Sequence, residues 1–167
     1  MQLLKRPFVR TILRYGALFL AVYIGYLIYA MDRNPPTLKV FTIDQQVLDP
    51  AKGESSFHFE GVITDERSVS KAQFVCKHHE EDVFVIVLVT SGANKYKVGF
   101  GKINNSPDWL GSWDGNKQSV TFQGYGRLPK GTEPLSCDWY AQLGDNLGNQ
   151  TEFKTELSLQ VLNRFDG

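Results

Sequence analysis

Acidic residues are absent from the first 31 positions of this 167-residue chain, although the whole sequence carries 18 acidic and 18 basic residues. Residues 15–31 lack charge of either sign, whereas Lys5, Arg6, Arg10 and Arg14 precede them. An uncharged apolar run that follows basic residues predicts one transmembrane helix with a cytoplasmic N-terminus. We therefore expect a single-pass protein of the inner (cytoplasmic) membrane, with its C-terminal domain in the periplasm or outside the cell.

A cleaved signal peptide is the competing interpretation of the same run. Such a peptide has an apolar stretch of about 7–15 residues and ends at a small-residue cleavage site. Here the run is longer, and the candidate site at residues 28–30, Ile-Tyr-Ala, has a bulky residue where a small one is preferred. We expect an uncleaved anchor, with a basic tail at residues 1–14, a transmembrane helix at 15–31 and a proline-containing linker at 32–37.

Clusters of lysine and arginine are missing after residue 31. This part of the chain holds 14 of the basic residues and all 18 of the acidic ones, so it is mildly acidic. Contacts to nucleic-acid phosphates need clustered basic side chains. The composition therefore excludes a typical nucleic-acid-binding domain.

Cysteine is scarce: the sequence contains two cysteines, Cys76 and Cys137. A structural zinc site needs four ligands, and the sequence has no C-x-x-C motif. In an oxidising compartment, two cysteines of one domain most simply form a disulfide, and two free buried thiols are the alternative. A nucleophilic Cys137 is disfavoured because no base is positioned near it in the sequence.

Metal-binding and catalytic constellations are also lacking. His78 and His79 precede Glu81, but adjacent residues of a strand point to opposite faces, so the two histidines could not easily share one ion. A charged turn between two strands is the simpler interpretation of this segment. We expect no metal, no cofactor and no enzymatic activity.

What the chain does have, after residue 37, is an alternation of apolar and polar residues with a period of two, which is typical of β-strands. Residues 83–89 are a continuous apolar run that is too short to cross a bilayer and predicts either a strand buried on both faces or a strand at an interface. Residues 104–115 form the longest irregular stretch. Seven or eight short strands separated by turn residues predict an antiparallel β-sandwich. The predicted strands cover residues 38–43, 57–63, 69–76, 83–89, 96–100, 120–125, 135–143 and 153–161.

Two segments resemble parts of bacterial immunoglobulin-like domains. Residues 57–65 and 69–75 are similar to the second and third strands of these domains, where an apolar-Gly-apolar run ends at an Asp. Residues 140–149 resemble the late hairpin, with an Ala, then an Asp, then Gly-Asn. The resemblance implies an all-β fold, an immunoglobulin-like antiparallel β-sandwich at residues 38–167, preceded by one N-terminal transmembrane helix. It transfers no activity, because such domains serve many functions.

The resemblance also implies a position for the cysteines. In these domains the third and sixth strands are antiparallel neighbours in one sheet, so the end of one, at Cys76, meets the start of the other, at Cys137. This bridge differs from the antibody-type disulfide, which joins two sheets. In the late hairpin, Asp145, Gly148 and Asn149 are expected to supply turn hydrogen bonds and positive φ. A calcium site there lacks the full ligand spacing.

Two further sets of residues are candidate contact sites. Ala17, Ala21 and Gly25 recur every four residues and form a small-residue face that allows another helix to approach closely, although such residues are common in any membrane helix. Trp109 and Trp113 lie in the predicted irregular stretch, where they either fold back as a lid or form a contact patch for a partner or a sugar.

These features predict a membrane-anchored, non-enzymatic accessory or scaffold subunit. We expect its helix and exported domain to contact a larger membrane protein complex, or the helix to self-associate within the lipid bilayer. The alternative is a carbohydrate- or peptidoglycan-binding or adhesion module that uses Trp109 and Trp113. Trp139, which lies within the strand pattern, is expected in the core.

Overall fold

A computed structural model of the chain describes residues 7–30, 34–51, 53–90, 96–103, 107–116 and 118–162. Within these ranges, the side chains of residues 7–13, 29–30, 90, 96 and 109–116 lie outside the description. The chain divides into two units, Met1–Asn34 and Pro35–Gly167. The first contains helix α1 and is called the helical unit; the second contains the strands and is called the β unit.

Helix α1 spans Pro7–Ala30 and begins well before the predicted residue 15. Proline is favoured in the first turn of a helix, because its missing N–H would have no partner there. From Arg14 to Ile28 the residues are exposed. In the part of the chain that the structure describes, a helix with the length and apolar character needed to cross a membrane is not found. The span predicted at residues 15–31 is therefore not confirmed.

The described part of the β unit contains ten strands, two or three more than the sequence predicts. Each predicted strand overlaps a strand of the structure, and most of the observed strands are longer. The strands are β1 (Thr37–Ile43), β2 (Val47–Leu48), β3 (Ser55–Thr64), β4 (Val69–His78), β5 (Glu81–Thr90), β6 (Tyr96–Lys102), β7 (Asp108–Asn116), β8 (Ser119–Leu128), β9 (Leu135–Asp145) and β10 (Gln150–Val161).

Hydrogen bonds connect the strands in the order β1-β3-β8-β7-β6-β5-β4-β9-β10-β2. Strands β1, β3 and β8 form a three-stranded sheet. A second, curled sheet contains six strands in the order β6-β5-β4-β9-β10-β2. Neighbouring strands are antiparallel, except for the short parallel pair of β10 and β2. The expectation that the β unit is mostly antiparallel is therefore confirmed.

Strand β7 links the two sheets. Its first half pairs with β6, where Val98 lies opposite Gly111, and its second half pairs with β8, where Trp113 lies opposite Phe122. The prediction of an irregular stretch at residues 104–115 is therefore wrong from Asp108 onward. The segment is rich in glycine and lacks apolar alternation, which gives it a low strand propensity. A strand that passes from one sheet to another needs a bend, and glycine accommodates bends of this kind.

The core is built from side chains that alternate inward along the strands. In β8, every second residue from Val120 to Leu128 is buried. Phe57, Phe74 and Trp139 are among the largest core side chains, and each is at most 1% exposed. The prediction that Trp139 lies in the core is thus confirmed. Strand β5 has consecutive buried residues at positions 84–86, as its continuous apolar run predicts.

The β unit has two ends with different turns. At one end, Thr37 of β1 lies opposite Thr64 of β3, and Val69 of β4 lies opposite Asp145 of β9. We call this the turn end, because the β3–β4 and β9–β10 turns lie there. At the other end, the first residue of β3 lies opposite Leu128, the last residue of β8. We call it the cleft end, because a surface cleft opens there.

Candidate functional site

Cys76 and Cys137 form a disulfide at the cleft end. They lie in β4 and β9, which are antiparallel neighbours, and the register places Cys76 opposite Trp139. Cys137 comes two residues before Trp139 and so points to the same face of the sheet. The two Cα atoms are 5.4 Å apart, which is within the usual range for a disulfide. The predicted bridge within one sheet is confirmed, and the alternatives of free thiols and a nucleophilic Cys137 are wrong.

The disulfide closes a long segment of the chain, since its cysteines are 61 positions apart. Closing a loop of this length restricts the unfolded chain and stabilises the folded state by about 4 kcal/mol in the chain-entropy model. Both cysteines are buried, at 0% and 2% exposure. The bridge therefore ties the cleft ends of β4 and β9 together from inside the core.

A two-residue turn, His79-Glu80, joins β4 to β5 at the cleft end. The φ angles of these residues are 50° and 69°. Positive φ at both central residues is the pattern of a type I′ hairpin turn, in which Asn and Gly are preferred. Histidine and glutamate have a Cβ that crowds the backbone in this conformation. The cleft end therefore holds backbone strain at His79 and Glu80.

The same turn brings the imidazole rings of His78 and His79 together, with their centroids 4.2 Å apart. The expectation that these side chains point to opposite faces is wrong, because His79 belongs to the turn and not to an extended strand. Among the described residues, no group of three or more His, Cys, Asp and Glu side chains could hold a metal ion. Nδ1 of His78 lies 2.6 Å from the carbonyl oxygen of Ser136 and donates a hydrogen bond to it. His78 thus links this hairpin to the start of β9.

Asp145 organises the β9–β10 turn at the turn end. Its Oδ1 accepts the backbone N–H groups of Leu147 and Asn149, each at 2.8 Å, and its Oδ2 accepts the side-chain amide of Asn149 at 2.6 Å. Gly148 has a φ of 90°. Burial raises the pKa of Asp145, but the hydrogen bonds from Asn149, Leu147 and Gly148 outweigh it and hold the pKa below its usual value. The turn roles predicted for Asp145, Gly148 and Asn149 are confirmed.

The β3–β4 turn at the same end uses Asp65 in a similar way. Its Oδ1 accepts the backbone N–H groups of Arg67 and Ser68, both at 2.7 Å. An aspartate that accepts hydrogen bonds from the following backbone is a common turn-forming device. The hydroxyl of Ser70 also donates to the carbonyl oxygen of Asp145, at 2.5 Å, which connects the two turns.

A cleft of about 520 Å³ opens at the cleft end of the β unit. Its floor contains Phe84, Phe100 and Leu128, each at most 4% exposed and part of the hydrophobic core. Val83 and Leu135 are partly buried against that core and also line the cleft. The floor is therefore apolar and continuous with the interior of the domain.

The rim of the cleft is charged. Nε of Arg127 lies 3.9 Å from Oε1 of Glu54, which is too far for a hydrogen bond. Within the described part of the chain, no carboxylate lies within 4.0 Å of the ammonium group of Lys102 or Lys130. Of the three cations at the rim, Arg127 has Glu54 beside it, whereas the two lysines have no such carboxylate among the described residues. The charged residues that line the cleft are Lys102, Arg127, Lys130, Asp108 and Glu133.

Hydrogen bonds fix the loop that forms one side of this rim. The backbone N–H of Thr132 donates to the carbonyl oxygen of Pro129 at 3.2 Å, and Gly131 has a φ of 80°. These features are typical of a type II turn with glycine at its third position. The N–H of Gly131 also donates to the carbonyl oxygen of Pro50 at 3.1 Å. The turn therefore holds the backbone of Lys130 in a fixed position at the cleft.

Sequence reasoning missed the cleft. Its lining comes from β5, β6, β7, β8 and β9 and from connecting segments, so no short motif contains it. The local signal that could have been found is the Pro-Lys-Gly-Thr segment at residues 129–132, since proline and glycine mark a defined turn. That signal predicts a turn, and the cleft beside it depends on the tertiary fold.

The outer face of β4, β9 and β10 provides a contrast to the rim. Nζ of Lys77 lies 2.6 Å from Oε1 of Glu152, and Nζ of Lys154 lies 2.5 Å from Oδ2 of Asp138. The hydrogen bond with Glu152 raises the pKa of Lys77, and the same bond lowers the pKa of Glu152. The Lys77–Glu152 pair is partly exposed, so it contributes about 0–1 kcal/mol. Lys77 and Lys154 thus have carboxylate partners, unlike Lys102 and Lys130 among the described residues.

The remaining candidate residues stay predictions. Trp109 and Trp113 lie in β7, but their side chains are outside the described residues, so the choice between a lid and a contact patch is untested. Ala17 and Ala21 are exposed on α1. A Cβ added to Gly25 would meet nothing within 4 Å. These observations leave the helix-packing role of the three small residues untested.

No protein-family model matches the chain, and no curated protein matches it. Among solved structures, the chain is distantly similar to a DUF4466 family protein from Parabacteroides merdae ATCC 43184, with 12% sequence identity and a TM-score of 0.31. The match covers 75% of this chain and 46% of that chain, so this chain spans about half the length of the matched protein. A match with this TM-score carries no argument about function.

Proposed function

We propose that this protein is a membrane-anchored, non-enzymatic accessory or scaffold subunit. In this proposal, residues 15–31 are retained in the inner membrane and contact another membrane helix. The β unit is exported and binds the outer face of a larger membrane protein complex. This proposal combines three observations: the exposed apolar surface of α1, the disulfide, and the small-residue face of the helix.

The observation that carries the proposal is the exposure of apolar side chains along α1. Tyr15, Phe19, Val22, Tyr26 and Ile28 each have between 62% and 75% of their surface exposed. Apolar surface in water is unfavourable by about 25 cal/mol per Å², so this surface favours lipid or a partner helix over water. Among the described residues, no helix has the length and apolar character of a membrane span. The proposal of a membrane span therefore rests also on the absence of charge in the sequence of residues 15–31.

The disulfide supports export of the β unit. A disulfide such as Cys76–Cys137 indicates an oxidising, extracytoplasmic location, because cytoplasmic thiols are kept reduced. The basic residues before the apolar run favour a cytoplasmic N-terminus. Together they support a topology in which the chain crosses the membrane once.

The small-residue face supports a helical partner. Ala17, Ala21 and Gly25 are exposed and follow each other at four-residue intervals. Small side chains allow two helices to approach closely, and close packing is a major source of helix association in lipid. The partner is a larger membrane protein or a second copy of this chain.

We also propose that the β unit is immunoglobulin-like. The support is that β4 and β9, which carry the disulfide, are antiparallel neighbours in one sheet, as the resemblance implies. Immunoglobulin-type domains have seven to nine strands in two separate sheets. The strand β7, which pairs with both sheets, is a departure from that pattern.

The test uses the full-length chain with a C-terminal tag, expressed in a Gram-negative host. We expect the protein to remain in membranes after alkaline carbonate extraction, and protease added to spheroplasts to digest the β unit. After mild cross-linking, detergent purification and mass spectrometry, we expect a defined membrane protein or a homo-oligomer. Release by carbonate, or a strictly solitary chain, would contradict the proposal.

A matched pair of variants tests the helix face. Ala17→Leu, Ala21→Leu and Gly25→Leu together should abolish the cross-link, because leucine prevents close helix approach. The control carries Phe19→Leu, Tyr23→Leu and Tyr26→Leu, which lie on the opposite face of α1 and should retain the cross-link. Equal losses in both triple variants would show that association does not use the small-residue face.

A further inference from the structure

We infer that the cleft binds a small amphiphile with one carboxylate group and an apolar body. This inference concerns the β unit alone and does not depend on membrane anchoring. It rests on three properties of the described residues, namely the apolar side chains of the floor, the two rim lysines that have no carboxylate within 4.0 Å, and the fixed position of the rim loop.

The floor provides a surface for the apolar body of the ligand. Val83 and Leu135 line the cleft and are only partly buried, and they pack on the core that contains Phe84, Phe100 and Leu128. The cleft volume of about 520 Å³ lies within the range of ligand-binding pockets. A ligand body of a few connected carbon atoms fits this volume and removes apolar floor surface from water.

The rim provides the charge that a carboxylate needs. The rim carries the cations Lys102, Arg127 and Lys130, and its carboxylates are Asp108 and Glu133, with Glu54 beside Arg127. The ammonium groups of the two lysines have no carboxylate partner within 4.0 Å among the described residues. The guanidinium group of Arg127 is about half exposed, and its pairing with Glu54 is long, at 3.9 Å. A guanidinium group matches the two oxygens of a carboxylate in a planar, bidentate arrangement.

The loop that carries Lys130 is held in position before any ligand binds. The type II turn at residues 129–132 is closed by the hydrogen bond from Thr132 N–H to Pro129 and is tied to Pro50 through Gly131. On another side, Pro107 packs so closely on Gly101 that an added Cβ would lie 3.0 Å from the Cα of Pro107. A preformed site loses less conformational entropy on binding than a mobile one.

The experiment measures binding of decanoate by calorimetry to the purified full-length protein, with the same buffer without protein as the blank. We expect saturable binding of decanoate above the blank. Decanol, which has the same chain but no charge, should bind at least about tenfold more weakly, because it lacks the charge-assisted hydrogen bonds. Inorganic phosphate, which has charge but no apolar body, should also bind at least about tenfold more weakly.

Variants then test the site. Arg127→Gln combined with Lys130→Gln should weaken decanoate binding by about a hundredfold, or about tenfold for each lost cation. Lys39→Gln, an exposed change on β1 outside the cleft, should leave binding unchanged. These rim residues are exposed, so we expect both variants to melt at the wild-type temperature.

Four outcomes would overturn the inference. They are no decanoate binding above the blank, equal binding of decanol, equal binding of phosphate, and equal decanoate affinity in the rim variant and in Lys39→Gln. Decanoate binding that is lost only in the rim variant supports the inference, whether or not the protein proves to be membrane-anchored.

Discussion

The two ends of the β unit use their polar groups in opposite ways. At the turn end, Asp65 and Asp145 accept hydrogen bonds from the backbone of their own turns. At the cleft end, His79 and Glu80 adopt positive φ without glycine, and Lys102 and Lys130 have no carboxylate within 4.0 Å among the described residues. The turns of the turn end thus stabilise the fold, whereas the cleft end combines a stabilising disulfide with backbone strain. Strain of this kind persists where the surrounding structure enforces it, and it is common at functional sites.

The largest expected effect comes from the bond that holds the cleft end. Replacing Cys76 and Cys137 by alanine should lower the free energy of unfolding by about 4 kcal/mol, because the unfolded chain gains freedom. Urea unfolding followed by tryptophan fluorescence measures the change. Dithiothreitol should destabilise the wild type by a similar amount and should not affect the double variant.

Hydrogen exchange of the same double-alanine variant sharpens the comparison. We expect amide protection to fall most in β4 and β9 near residues 76 and 137. Protection around Asp65 and Asp145 should fall less, because hydrogen bonds within each turn hold that end. An equal loss of protection at both ends would break the distinction between them.

At the turn end, Asp145→Ala should lower the free energy of unfolding by about 2 kcal/mol, since it leaves N–H donors without their acceptor. Asp145→Asn is the matched control, because it keeps one side-chain oxygen and cannot titrate. The native pKa of Asp145 lies below its usual value. Its ionised form therefore stabilises the protein above the unfolded pKa of about 3.9, and this stabilisation is lost as the pH falls through the native pKa.

Unfolding curves between neutral and acidic pH measure this effect. The difference in stability between the wild type and Asp145→Asn should be largest near neutral pH and should narrow in acid. A difference that stays constant with pH would show that the charge of Asp145 does not stabilise the turn.

The smallest expected effect concerns the strained hairpin. His79→Asn combined with Glu80→Gly should raise the free energy of unfolding by about 1 kcal/mol, because these residues tolerate a type I′ turn. The urea midpoint should rise while the slope of the transition stays the same. Gly148→Ala, where φ is 90°, is the opposing control and should lower stability by about 1 kcal/mol. If the free energy of unfolding of the hairpin variant does not rise, the backbone at His79 and Glu80 is not strained.

Most strands of this protein could be predicted because apolar alternation is a local property of the sequence. Strand β1 begins one residue from the predicted start and ends at the predicted residue, Ile43. The turn at Asp145 could also be predicted, since Asp145 and Gly148, which form it, are only three residues apart in the chain. The resemblance to immunoglobulin-like domains also predicted that the two strands that carry Cys76 and Cys137 are neighbours in one sheet.

The other features depend on contacts that no short segment contains. Strand β7 exists because β6 and β8 each offer it a hydrogen-bonding edge, whereas its own sequence has a low strand propensity. The contact between His78 and His79 depends on the backbone of a two-residue turn, which a period-two pattern does not reveal. The cleft requires residues from five strands to meet, so only the tertiary fold shows it.

The disulfide also determines how the β unit responds to mechanical tension. Every residue that lines the cleft, from Val83 to Leu135, lies between Cys76 and Cys137 in the sequence. A force that pulls on the two chain termini passes through the sulfur atoms and bypasses the enclosed segment. Strands β5 to β8 are thereby kept out of the load path, and the walls of the cleft cannot be drawn out along with the rest of the chain.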